Sequence, residues 1–187
     1  MKKIESIGFT ILCALIFCYR ADAQTAPADL RVVLIRHAEK PQQGYNLTCQ
    51  GLNRSLQLVP LLHSRFGLPT SIYVPNLGQG DTTKHARMFQ TIVPFAIKYN
   101  LSIRTTFHED DTLQLAQAIR QQKGIVLVVW EHTRLPAIAR NLGVKDALLH
   151  WQDTDYDSMW IIEYVNGAAV LRKDKEGLHP AEACPME

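Results

Sequence analysis

Two short apolar runs constrain this chain more than any other feature. Leu30 to Ile35 (LRVVLI) and Ile125 to Trp130 (IVLVVW) are rich in β-branched residues and too short for helices. Continuous runs of that length, apolar on both faces, suit strands buried in the middle of a parallel sheet rather than strands with one wet face. Such strands need helices above and below, and the intervening sequence supplies them.

Leu52 to Phe66 carries apolar residues at helical spacing and stops at Gly67; Lys84 to Tyr99 reads the same way. Asp111-Thr112 offers a cap for a helix running to about Gln122, with Gly124 behind it, and Pro136 opens a helix that Gly143 ends. Pro60 and Pro94 fall inside two of these helices and predict a kink or break in each. Further strands are expected at Ser71–Val74 and Ser102–Phe107. Met159–Val165, Asn166-Gly167 and Ala168–Arg172 read as an antiparallel hairpin on a type I′ turn. The expected fold class is therefore α/β, a three-layer α/β/α sandwich with a mostly parallel central sheet and a C-terminal antiparallel hairpin.

The first residues read differently. Lys2-Lys3, the apolar stretch Ile7–Tyr19 and the small-x-small sequence Ala21-Asp22-Ala23 have the order of a secretory signal peptide, 1–23, with the apolar part too short to span a bilayer. The folded domain is then 24–187, destined for secretion or the periplasm, with no membrane attachment after cleavage. Cys13 and Cys18 leave with the leader, and Cys49 and Cys184 remain as an even pair bound for an oxidising compartment, where a disulfide between them is expected. A net charge of +2 leaves no electrostatic footprint for nucleic acid.

Chemistry-bearing residues follow directly on the two buried strands: Arg36-His37-Ala38-Glu39-Lys40 after the first and Glu131-His132-Thr133 after the second. Open α/β sheets bind ligands beyond the carboxyl ends of their strands, so adjacent strands would bring His37 and His132 together. The sequence has no G-x-S-x-G elbow, Walker loop, G-x-G-x-x-G, H-E-x-x-H or C-x-x-C. Asp153-Thr154-Asp155-Tyr156-Asp157 begins like a calcium loop but has Ser158 and Tyr164 where that loop needs Gly and Glu. No metal and no cofactor are expected.

With LIRHAEKP at 34–41, KHARMFQT at 84–91 and VVWEHT at 128–133, the chain resembles the histidine phosphatase superfamily, also called phosphoglycerate-mutase-like. The resemblance implies that His37 is a nucleophile forming a phosphohistidine, and that Arg36, Arg87 and His132 complete a cationic pocket around the phosphoryl group. That pocket would bind a small-molecule phosphate ester or phosphorylated substrate. Two arginines and an imidazolium can neutralise a phosphoryl group without a metal ion. The leaving oxygen needs a proton, and the family often places a carboxylate where this chain reads FHEDD. Glu109 is the first candidate for that acid and Asp110 the second; Glu131 is a rival that strand alternation should turn away from the pocket.

The implied function is a metal-independent phosphatase. The alternatives are a non-catalytic phosphate- or sugar-phosphate-binding module and a phosphoglycerate-mutase-type phosphotransferase. Glu39 and Lys40 could line the pocket mouth or lie in solvent. His85 suits a surface helix position, His63, His150 and His179 structural or exposed ones, and Trp130, Trp151 and Trp160 the core.

Overall fold

The computed structural model describes residues 26–78 and 85–185. The signal peptide reading of 1–23, and the start of the second helix at Lys84, lie outside the described residues. In chain order the elements are β1 (Arg31–Arg36), α1 (Cys49–Phe66), β2 (Ser71–Tyr73), α2 (Ala86–Tyr99), β3 (Ile103–Arg104), α3 (Thr112–Arg120), β4 (Ile125–Trp130), α4 (Leu135–Asn141), β5 (Ser158–Val165) and β6 (Ala168–Lys175).

The strands form one sheet in the order β3-β2-β4-β1-β5-β6. β3, β2, β4 and β1 pair parallel, whereas β5 runs antiparallel to both β1 and β6. β1 and β4 occupy the centre, as their apolar runs require. Alternation along them divides the core: Val32, Leu34, Val126, Val128 and Trp130 face α3 and α4. Val33, Ile35, Leu127 and Val129 face α1 and α2. Two apolar layers on opposite faces of one sheet make the three-layer sandwich that the sequence predicts.

Several local expectations change. α1 begins at Cys49, because Thr48 caps it by accepting from the Gly51 N–H at 3.1 Å. Pro60 and Pro94 lie within α1 and α2, and each helix continues through its proline. β3 shrinks to two residues at the sheet edge. Asp111 stands at the cap position of α3, yet its carboxylate accepts from the His108 N–H at 2.8 Å, so it closes the preceding turn instead. The hairpin turns at Asn166 and Gly167, both with positive φ, as a type I′ turn demands.

Gly51 fixes how closely α1 approaches the segment after β1. A Cβ on this residue would stand 2.4 Å from the Glu39 carbonyl oxygen, so only glycine fits. In the same contact Glu39, expected at the pocket mouth or in solvent, is buried and grips Arg54 of α1 through both carboxylate oxygens at 2.8–3.0 Å. Arg54 also bonds Glu176, which follows β6. Cys49 and Cys184 lie at disulfide-bonding distance, Cα–Cα 4.6 Å, and tie the start of α1 to the C-terminal tail. Together these contacts hold the loop after β1 from behind.

Candidate active site

Parallel pairing of β1 with β4 sets Arg36 opposite Trp130. The His37 N–H donates to the Trp130 carbonyl at 3.2 Å, so the two strands stay in register past their last sheet residues. His37 and His132 therefore emerge side by side, as adjacent strands predicted. Arg87 arrives from the first turn of α2. Thr91, one turn further on, fixes that helix to the β1 loop: its hydroxyl accepts from the Ala38 N–H at 2.9 Å and donates to the Arg87 carbonyl at 2.7 Å.

His37 is fully buried. Its Nδ1 lies 2.7 Å from the Ala38 carbonyl, a contact that only Nδ1–H can make as a hydrogen bond. The neutral ring then presents an unprotonated Nε2 to the pocket. Burial pushes the His37 pKa below its ordinary value, against the pull of Glu131. Arg36 donates through Nη1 to the Asp153 carbonyl, and its guanidinium lies 3.9 Å from the centre of the Tyr156 ring. Arg87 Nη1 reaches the Gly44 carbonyl at 3.5 Å. His132 Nε2 sits 3.1 Å from an Asp153 carboxylate oxygen.

Among the described residues, four buried side-chain polar atoms have no hydrogen-bond partner: Arg36 Nε, His37 Nε2, Arg87 Nε and His132 Nδ1. One comes from each of the four residues assigned to the pocket. Buried polar atoms are normally satisfied, so four such atoms without an aligned hydrogen bond in one place, two of them facing a single carboxylate, mark a candidate ligand site. A cleft of about 470 Å³ opens beside them, lined by Arg36, Lys40, His132, Asp153 and Tyr156 among others.

Glu131 overturns the expectation drawn from strand alternation. β4 ends at Trp130, so the period-two rule no longer governs residue 131, and its carboxylate turns into the pocket. One oxygen lies 3.2 Å from His37 Nε2 and 3.8 Å from Arg87 Nη2; the other lies 2.5 Å from His132 Nδ1. Both imidazole nitrogens therefore face a carboxylate oxygen, in contacts short of ideal hydrogen-bond alignment. Burial opposes ionisation of Glu131, but His132 and His37 outweigh it and hold the carboxyl far below the usual range.

The two FHEDD candidates separate cleanly. Asp110 is exposed and paired with Arg134 at 2.6 Å. Glu109 is anchored to the end of β4: its carbonyl accepts from Trp130 Nε1 at 2.9 Å, and its carboxylate lies 3.1 Å from His85 Nδ1. Burial, reinforced by the charge of Glu131, pushes the Glu109 pKa up. His85 is thus the partner of Glu109 rather than a plain surface residue. Asp155 and Asp157 serve the loop before β5: Asp155 accepts from the Asp157 and Ser158 N–H groups, and Asp157 from the Gly177 N–H. Tyr156 and Asp153 lie in the segment that only begins like a calcium loop, and Thr91 ends KHARMFQT, but nothing in the sequence shows that these side chains meet Arg36, His132 and the loop after β1.

This topology, with the pocket at the ends of β1 and β4, is the fold of the histidine phosphatases. Solved structures with that fold include SixA from Agrobacterium tumefaciens, at 19% identity and TM-score 0.56 over 81% of this chain and 99% of that one. The protein histidine phosphatase SixA complexed with tungstate matches at 14% and 0.57, over 78% and 97%. The alpha-ribazole phosphatase from Shigella flexneri matches at 17% and 0.53, over 84% and 99%. The sequence matches no family model. No curated protein matches it either.

Proposed function

We propose that this protein is a secreted or periplasmic, metal-independent phosphatase that hydrolyses a phosphomonoester or phosphohistidine through a phosphohistidine on His37. The observation that carries the reading is the set of four buried polar atoms without an aligned hydrogen bond, three from potential cations and one from the nucleophile, gathered at the ends of β1 and β4.

His37 Nε2 attacks phosphorus, and the bond from phosphorus to the leaving oxygen breaks. The Ala38 carbonyl supports the attack by keeping the ring's proton on Nδ1. Arg36, Arg87 and His132 bind the phosphoryl oxygens and balance their charge in surroundings largely closed to water. Glu109, whose raised pKa favours the protonated carboxyl, gives its proton to the departing oxygen. As a carboxylate it then takes a proton from water, which attacks the phosphohistidine, releases phosphate and restores His37.

The reading is tested by mixing the protein with a labelled aryl phosphate and quenching without acid. An acid-labile, base-stable phosphoprotein is expected in the wild type and absent from His37→Ala. Turnover by a folded His37→Ala variant at the wild-type rate would remove His37 as the nucleophile.

A further inference from the structure

Glu131 and the two imidazoles form an arrangement that the hydrolytic reading does not use. His37, Glu131 and His132 each present one donor atom, and these atoms lie within 4.8 Å of one another. We propose that this cluster is a binding site for a divalent transition-metal ion, Zn²⁺, whose occupancy blocks the phosphatase proposed above.

The outer contacts of both rings have the form that metal-bound histidines require. A ligating imidazole donates its other N–H to a carbonyl or carboxylate, which fixes the ring and frees the ligating nitrogen. His37 donates Nδ1–H to the Ala38 carbonyl, and His132 turns Nε2 toward the Asp153 carboxylate at 3.1 Å. The remaining nitrogens, His37 Nε2 and His132 Nδ1, are buried and face the Glu131 carboxylate at 3.2 and 2.5 Å.

Distances agree with this assignment. Ligands about 2.0–2.2 Å from a tetrahedral zinc stand roughly 3.4 Å from one another. His37 Nε2 lies 3.2 Å from one Glu131 oxygen and His132 Nδ1 2.5 Å from the other, with the donor atoms within 4.8 Å of one another, so a bound ion would open the shorter contact and draw the three donors to a common spacing. Two imidazole nitrogens and one carboxylate suit Zn²⁺ and its neighbours in the first transition row; Mg²⁺ and Ca²⁺ prefer all-oxygen sites. The three ligands leave a fourth position for water.

Charge limits the affinity. Arg87 lies 3.8 Å from Glu131, and Arg36 borders the same cleft. Two guanidinium groups beside a dication weaken its binding relative to a closed structural zinc site. Among the described residues Glu131 is the carboxylate touching both imidazole nitrogens, so it is the residue on which binding turns.

The consequence for function rests on the phosphatase reading; the binding itself does not. A metal ion on His37 takes the lone pair that would attack phosphorus, so bound Zn²⁺ and turnover exclude each other.

The test is a calorimetric titration of Zn²⁺ into the ligand-free protein, with Mg²⁺ as the comparison ion. One Zn²⁺ per chain is expected, with affinity at least tenfold weaker in Glu131→Gln and no comparable Mg²⁺ binding. Co²⁺ added to the wild type should give the visible absorption of a four- or five-coordinate nitrogen–oxygen site, a readout that needs no variant. In parallel, Zn²⁺ should inhibit aryl phosphate hydrolysis in competition with the ester. Absence of stoichiometric Zn²⁺ binding, equal affinity in a folded Glu131→Gln variant, or hydrolysis that rises with Zn²⁺ would each overturn the proposal. A protein that binds Zn²⁺ but cleaves no phosphate ester would keep the metal site and overturn the phosphatase reading instead.

Discussion

The Glu131 carboxylate stands 3.2 Å from His37 Nε2, placing a negative charge where the proposed reaction brings another. Two unit charges about 4 Å apart at an effective dielectric constant near 20 interact by about 4 kcal/mol. An oxyanion entering the pocket must therefore move Glu131 aside or protonate it.

Replacing that carboxylate by its neutral isostere should accordingly help anions as much as it harms cations. Glu131→Gln is expected to bind inorganic phosphate or tungstate at least about tenfold more tightly than the wild type at pH 8, as measured by calorimetry. Because His132 and His37 hold the Glu131 carboxyl far below the usual range, the advantage should persist through the mildly acid range. Unchanged or weaker binding in the variant would mean that Glu131 supports the pocket rather than competing with its ligand.

Proton delivery makes a separate prediction, because an alkyl leaving group needs an acid far more than an aryl one does. Glu109→Gln should lower kcat for an alkyl phosphate by about 10²–10⁴-fold and leave aryl phosphate hydrolysis within a few-fold of wild type. Equal losses on both substrates would move the acid role elsewhere.

The pH profile follows from the same two groups. His37 must be neutral to attack, and burial places its pKa below the ordinary 6.5. Glu109 must be protonated to donate, and burial raises its pKa above the ordinary 4.5. Activity toward alkyl phosphates should rise with pH as His37 loses its proton, fall as Glu109 loses its own, and peak between the two transitions. The alkaline limb is the one that should disappear in Glu109→Gln. Its persistence in the kcat/KM profile of that variant would assign it to another group.

Arg54 leads to a prediction about stability. It lies buried between Glu39 and Glu176, and removing it leaves two carboxyl groups without their cation. Loss of one partner from such a network is expected to destabilise by about 3–5 kcal/mol. Burial raises the Glu176 pKa from 4.5 to about 7, so the folded protein holds a proton there that the unfolded chain releases. Between those pH values this group makes stability fall as pH rises, and without Arg54 the fall should steepen. Arg54→Met should therefore be much less stable than wild type at pH 8 and closer to it at pH 5 in urea unfolding. An equal loss at both pH values would indicate packing rather than charge.

Much of this architecture was legible in the sequence because periodicity and burial are local signals. LRVVLI and IVLVVW could serve only as central strands, and Asn166-Gly167 admitted one kind of turn. The RHAE and EHT segments announced the pocket by following those strands immediately. The edge strand β3 was overestimated because SIRTTF has strand-like composition, whereas pairing with β2 is all that makes a strand there.

What the sequence determined by itself was therefore the sandwich, the central strands and the emergence of His37 and His132 at their ends, since each rests on apolar runs that must be buried; the addition of Arg36 and Arg87 to a phosphate pocket is what the family resemblance implies. Tertiary structure alone decided the fate of the carboxylates. Side-chain direction beyond the end of a strand, and the partners a charge finds there, depend on contacts between segments far apart in sequence. That is why Glu39 is a buried anchor for Arg54, Asp110 faces solvent, Glu109 rests beside His85, and Glu131 occupies the centre of the pocket.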